Sequence, residues 1–122
     1  MTLAHWIAGP QLVGVIFIIV GLVSYYFPPK KINELYGYRT FSSKRNQQTW
    51  DAANRFSAIY SLKAGAIVLI AGVLLHLLIY TMPWPEKTKT LLTVILLLGS
   101  GIFTAVSLIV STEKHLDKNF KE

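Results

Sequence analysis

The chain has no cysteine, six acidic residues and three histidines in 122 positions. Without cysteine there is no disulfide framework, no thiolate nucleophile and no Cys-based zinc or iron–sulfur site. The six acids are scattered, which disfavours paired carboxylates for glycosidase-type chemistry. His5, His76 and His115 offer no pair at the i, i+4 spacing of a helical metal site, and there is no P-loop, dinucleotide fingerprint or nucleophile elbow. No enzyme activity, metal or cofactor is therefore expected. Charge itself is scarce at 15% of residues, against about 25% in a soluble domain. None of it falls within Met1–Pro29, Ala64–Pro85 or Thr90–Thr112.

What fills those stretches is apolar. A bilayer core about 30 Å thick needs roughly 20 apolar residues in a helix, and each charge-free stretch is long enough. A helix of a soluble bundle would carry a charged face with a period near 3.6 residues; Leu12–Phe27, Ala66–Tyr80 and Leu91–Val110 carry none. The expectation is one all-α membrane domain over residues 1–122, with spans near 7–27, 56–80 and 90–110 and a polar loop and helix over 28–55. Pro28-Pro29 ends the first span and Pro83-Trp84-Pro85 follows the second, since proline lacks an amide donor. Trp6, Tyr25, Tyr26, Tyr80 and Trp84 stand near span ends, where amphipathic rings favour the headgroup region.

Orientation follows from the basic residues. Lys30, Lys31, Arg39, Lys44, Arg45 and Arg55 lie in the first loop, with Lys63 just beyond; the tail adds Lys114, Lys118 and Lys121. The second loop has only Lys87 and Lys89, and the N-terminal segment has none. The positive-inside bias puts the first loop and the C-terminus in the cytoplasm and the N-terminus outside. His5 and His76 then lie toward the outer side and His115 toward the inner, so the three share no site; His76 reads as an interfacial residue with satisfied bonds. The first span lacks the basic n-region and small-x-small site of a cleaved signal. The net charge of +6 points to anionic headgroups rather than nucleic acid, because the basic residues cluster beside span ends.

Gly14 and Gly21 are seven apart, as are Gly65 and Gly72, so each pair shares a helix face. Thr93, Ser100 and Ser107 do likewise, with Thr104 and Ser111 on an adjoining line. Small and hydroxyl residues let membrane helices approach closely; the alternative use of the hydroxyl line is a polar path.

The first loop carries the chemistry. Asn33 suits a turn, Gly37 between Tyr36 and Tyr38 permits one, and Arg39 offers a guanidinium fork for a carboxylate or phosphate, or pins the loop. Ser43 is the expected N-cap of a helix that runs on into the second span. Trp50, Asn54, Ser57 and Ser61 follow at helical spacing, and Asp51 and Arg55 are four apart, able to pair. Lys63 either snorkels to lipid phosphates or neutralises an anion.

The run Asn33-x-x-Tyr36-Gly37-Tyr38-Arg39-Thr40-x-x-Ser43, followed by Trp50-x-x-Ala53-Asn54-Arg55, resembles the signature of the SdpI family of bacterial immunity proteins. That resemblance implies a multi-span membrane protein that protects a cell against a secreted, membrane-active SdpC-type toxin. In the best-known system such a protein also holds a repressor at the membrane. This chain has three expected spans, where longer members have a further membrane region. The site residues so implied are Asn33, Tyr36, Gly37, Tyr38, Arg39, Thr40, Ser43, Trp50, Asn54 and Arg55, beside Lys63 from the residue reading. Two other functions stay open: an accessory subunit of a larger membrane complex, and a small oligomeric transporter or anion-binding protein with Arg39, Arg55 and Lys63 as a basic mouth. Partners on these readings are the anionic bilayer, a toxic peptide or membrane protein, and a second copy, since three spans bury little surface alone.

Overall fold

A computed structural model of the chain describes residues 9–120. They form three helices: α1 (Gln11–Tyr26), α2 (Gln47–Thr81) and α3 (Glu86–Asn119), with no strand among the described residues. At about 1.5 Å per residue, α2 and α3 are each roughly 50 Å long, well beyond a bilayer core of about 30 Å. Both are long and apolar enough to cross a membrane; α1, at 16 residues, is shorter. Ile7 and Ala8 of the first expected span, together with His5 and Trp6, lie outside the described residues.

The helix over the second expected span starts earlier, as the spacing from Trp50 onward indicates, but its cap is not Ser43. Asn46 is extended (φ −157°), and its side chain accepts from Thr49 N–H at 2.9 Å while Thr49 Oγ1 accepts from Asn46 N–H at 3.1 Å. This reciprocal box satisfies two donors that a helix start leaves orphaned. Ser43, three residues upstream, is fully buried and turned into the loop instead. At the other end α2 stops at Thr81, before Pro83. The third helix outruns its expected span and continues through the polar tail to Asn119.

The packing places small and polar residues inside and large aliphatic ones outside. Gly14, Gly21, Gly65 and Gly72 are buried where α1 lies along α2. A Cβ on Gly65 would stand 2.8 Å from Gly14 O, and one on Gly21 would stand 2.8 Å from Leu62 Cγ. Ser61 Oγ adds a hydrogen bond to Phe17 O at 2.7 Å across the same seam. Meanwhile Ile67, Ile70, Leu74, Ile102 and Phe103 are all more than 60% exposed. Helices in lipid gain nothing by hiding leucine and pack through small residues, so this inverted pattern is a membrane arrangement.

On α3 the buried hydroxyls are Thr93, Thr104 and Thr112. Each bonds the carbonyl four residues back in its own helix, at 2.6–2.8 Å. Ser100 likewise bonds Leu97 O at 3.1 Å, so Thr93, Ser100 and Thr104 of the expected hydroxyl lines are satisfied within α3, which favours packing over a polar path there. His76 is fully buried, its ring 4.7 Å from that of Tyr80. His115 stacks on Phe56 at 4.4 Å, joining α3 to the start of the apolar part of α2. α1 packs closely along α2, whereas α1 and α3 scarcely touch. The three helices therefore form a tight hairpin with a third helix laid against one partner only.

Candidate functional site

The segment between α1 and α2 folds back over the helix ends and is held by side chains of α2 and α3 and by the backbone at the end of α1. It begins with an Asx turn: Asn33 Oδ1 accepts from the N–H groups of Leu35 (2.8 Å) and Tyr36 (2.9 Å), and its amide donates to Lys31 O. Tyr36 OH reaches back to Phe27 O at 3.1 Å, tying the loop to the end of α1. Gly37 follows at φ +101°, a conformation that side chains rarely adopt. A Cβ there would also stand 2.6 Å from Pro29 Cγ and 2.7 Å from Asn54 Oδ1.

That close approach lets Asn54 act as a substitute strand. Its Oδ1 accepts from Tyr38 N–H at 2.6 Å, and its Nδ2 donates to Tyr38 O at 3.3 Å and Trp50 O at 2.9 Å. A buried carboxamide with both ends engaged meets the requirement that buried polar atoms be paired. Trp50, completely buried one turn earlier, donates its indole N–H to Pro29 O at 2.6 Å. Ser43 Oγ accepts from Thr40 N–H at 2.8 Å and donates to Thr40 O at 2.9 Å, closing the turn over residues 40–43.

The third anchor is Glu113, on α3 just beyond its apolar stretch. Its carboxylate accepts from Tyr38 OH at 2.7 Å, from Thr40 Oγ1 at 2.9 Å and from Ser42 Oγ. Burial pushes its carboxyl up, but the three hydroxyl bonds and the Arg45 charge outweigh that and hold it below the usual carboxylate range. Burial and the same carboxylate push the Tyr38 phenol well above its ordinary value. Sequence reasoning missed Glu113. The available signal was a lone acid one turn past a charge-free helix, at the end that faces a loop rich in hydroxyls.

The structure therefore joins Asn33, Tyr36, Gly37, Tyr38, Thr40, Ser43, Trp50 and Asn54 into one clasp. Arg39, Arg55 and Lys63 stand outside it. The guanidinium of Arg39 donates to Glu34 O, so it pins the loop. Glu34 itself pairs with Lys44 at 2.9 Å on the exposed rim, where an ion pair contributes little. Arg55 does not pair with Asp51, whose Oδ1 accepts instead from Gln47 Nε2 at 2.7 Å. Lys63, two turns beyond Arg55, is exposed and bonds none of the described residues. Of the three cations expected to form a basic mouth, Arg55 lines a cleft at the end of α1 that Arg39 and Lys63 do not reach.

Two clefts flank the clasp. One, of about 530 Å³, lies between the end of α1 and the first turns of α2 and is lined by Ser24, Lys30, Asp51, Asn54 and Arg55, among others. The other, of about 500 Å³, is a mainly apolar groove where α1 and α3 part. Ile16, Val20 and Leu108 form its walls, Ser57 and Ser61 its floor, and Tyr36–Tyr38 its roof.

Long apolar helices packed through glycine and hydroxyl groups, with a polar loop clasped across one end, are the features of a small helical membrane protein. Residues 30–111 match the SdpI/YfhL protein family, a region that contains the loop from Lys30 onward, all of α2 and most of α3. The chain belongs to that family. The uncharacterised protein YfhL of Bacillus subtilis (strain 168) is 44% identical to it over 62 residues, 51% of this chain and 56% of YfhL. The match thus spans little more than half of that relative. No solved structure matches the chain.

Proposed function

We propose that this is an immunity protein of the bacterial cytoplasmic membrane, protecting its host against a membrane-active toxic peptide. The family resemblance supplies the class of function. The single structural observation that supports a mode of action is the groove between α1 and α3, open sideways and roofed by the signature loop. Taking α1 as the first of three spans, the basic residues put the N-terminus outside and the loop and C-terminus in the cytoplasm. The loop meets the C-terminal part of α3 through Glu113, because α2 and α3 run antiparallel. A loop on the inner side is badly placed to catch a peptide arriving from outside. A lateral groove meets the peptide within the bilayer, and the loop then acts as the clasp that keeps the groove open.

The test is survival of toxin-sensitive bacteria expressing the protein under challenge with an SdpC-type toxin, beside a Val20→Trp variant. Val20 lines the groove and is 51% exposed, so an indole there fills the groove without being forced into the α1–α2 seam. Protection by the parent protein, lost in the variant at equal membrane level, is the expected result. No protection by well-expressed parent protein would overturn the proposal.

One observation favours a second reading, a subunit within a larger assembly. A Cβ on Gly99 would meet nothing within 4 Å, and Leu98, Ile102 and Phe103 beside it are exposed on α3. A small residue amid exposed aliphatics permits close approach of another helix. Stoichiometric co-purification of a larger membrane protein, or of a second copy, would distinguish this reading.

A further inference from the structure

The cleft at the end of α1 borders the clasp at Asn54, and its charges are unbalanced. The chain around it is fixed from both sides: Trp50 Nε1 holds Pro29 O, and Gln47 Nε2 holds Lys30 O at 2.6 Å and Asp51 Oδ1 at 2.7 Å. Asp51 is thereby committed to Gln47. Lys30 and Arg55 both line the cleft, and neither side chain has a hydrogen bond or ion pair with the described residues. Ser24 and Tyr25 of α1, the loop residues Pro28 and Pro29, and Asn54 of α2 complete the wall.

We infer that this cleft is a binding site for the phosphate of an anionic lipid headgroup, with Lys30 and Arg55 as its two cationic anchors. The charge argument comes first: two unpaired cations beside one occupied carboxylate leave a net positive cleft. A guanidinium offers a planar fork that matches phosphate oxygens, and an ammonium adds a point charge. A volume of about 530 Å³ is within the range of small-molecule sites, about 300–1,000 Å³. Position then selects the source of the phosphate. Lys30 follows directly on the apolar α1, and Arg55 directly precedes the charge-poor part of α2. Both therefore stand where apolar surface gives way to polar, which in a bilayer is the depth of lipid phosphates. This site is independent of the groove between α1 and α3, and it holds whether or not that groove takes a peptide.

The experiment is native mass spectrometry of the full-length protein in neutral detergent, titrated with phosphatidylglycerol or phosphatidylcholine. The parent protein is expected to retain one phosphatidylglycerol with a preference of about tenfold over phosphatidylcholine, the scale of two charge-assisted contacts near a screened surface. The Lys30→Ala/Arg55→Ala variant is expected to lose that preference. Lys87→Ala/Lys114→Ala, which removes the same charge elsewhere, is expected to keep it. Both anchors are exposed and unbonded, so unchanged helical circular dichroism is expected in every variant. Absence of preference in the parent, its survival in the first variant, or its equal loss in the second would overturn the assignment. A parallel arm adds inorganic phosphate at millimolar concentration. Failure of phosphate to displace the lipid is expected; complete displacement would make soluble phosphate the ligand and overturn the lipid assignment.

Discussion

Replacing Glu113 by alanine should undock the signature loop without unfolding the helices. The carboxylate accepts from Tyr38, Thr40 and Ser42, and hydrogen bonds to a charged group contribute about 1.5–3 kcal/mol each when measured singly. The three share one half-buried acceptor, so they do not add in full, and the carboxylate's own desolvation is relieved when it is removed. A net loss of about 2–4 kcal/mol in docking follows, which raises the open fraction of the loop roughly 30- to 1,000-fold. Hydrogen–deuterium exchange of the parent and Glu113→Ala proteins in lipid nanodiscs reads this directly. Amides of residues 38–46 should lose protection by that factor, while those of 66–76 stay protected. Unchanged protection over 38–46, with the helices intact, would refute the reasoning.

The same carboxylate gives a pH dependence with a definite sign. Its folded pKa lies below the ordinary 4.5. Its contribution is thus complete above about pH 4.5 and is lost as pH falls through the folded value. Acidification should release the loop, and Glu113→Gln should abolish that dependence. The emission of Trp50, in a variant whose other tryptophans are phenylalanine, can follow the titration. Tyr38, whose phenol is raised, makes the opposite contribution: complete below about pH 10 and lost as pH rises through its folded value.

Gly37→Ala should cost about 2–4 kcal/mol in loop docking, combining the left-handed backbone penalty with overlap against Pro29 and Asn54; increased trypsin cleavage at Arg39 would register it. Trp50→Phe, which keeps the ring's bulk but orphans Pro29 O, should cost about 1–3 kcal/mol, read as a lowered thermal midpoint in detergent. Gly65→Leu should separate α1 from α2, because the added side chain has no room against Gly14 and Ile18. Reduced crosslinking between cysteines introduced at positions 17 and 61 would report that separation. Glu34→Gln should leave all of these readouts unchanged, since its pair with Lys44 is on the exposed rim.

The sequence conveyed the helices well because absence of charge and the prolines are local, composition-level signals. The glycine pairs at seven-residue spacing also came out on the α1–α2 seam, where backbone approach needs them. Local reading failed where two neighbours compete for one role. Ser43 and Asn46 are both good caps, and the choice fell to Asn46 because Thr49 completes a reciprocal box while Ser43 is consumed in closing the loop. Asp51 and Arg55 have the right spacing, but Gln47, four residues to the other side, takes the carboxylate first. The pairing of Asn54 with Tyr38 spans 16 residues, and that of Glu113 with Tyr38 spans 75. No helical or strand period predicts either, so the sequence named the signature residues without showing that most of them bond to one another.

The clasp has a consequence for the order in which the molecule is made. At a synthesis rate of about 5–20 residues per second, the 75 residues from Tyr38 to Glu113 take about 4–15 s to appear. Within that interval α2 is completed and its glycine seam with α1 can close, but Tyr38, Thr40 and Ser42 still lack their acceptor. One of the first loops to leave the ribosome is thus among the last parts to be finished, and a chain stalled before Glu113 would present an unlatched loop to the cell's membrane proteases.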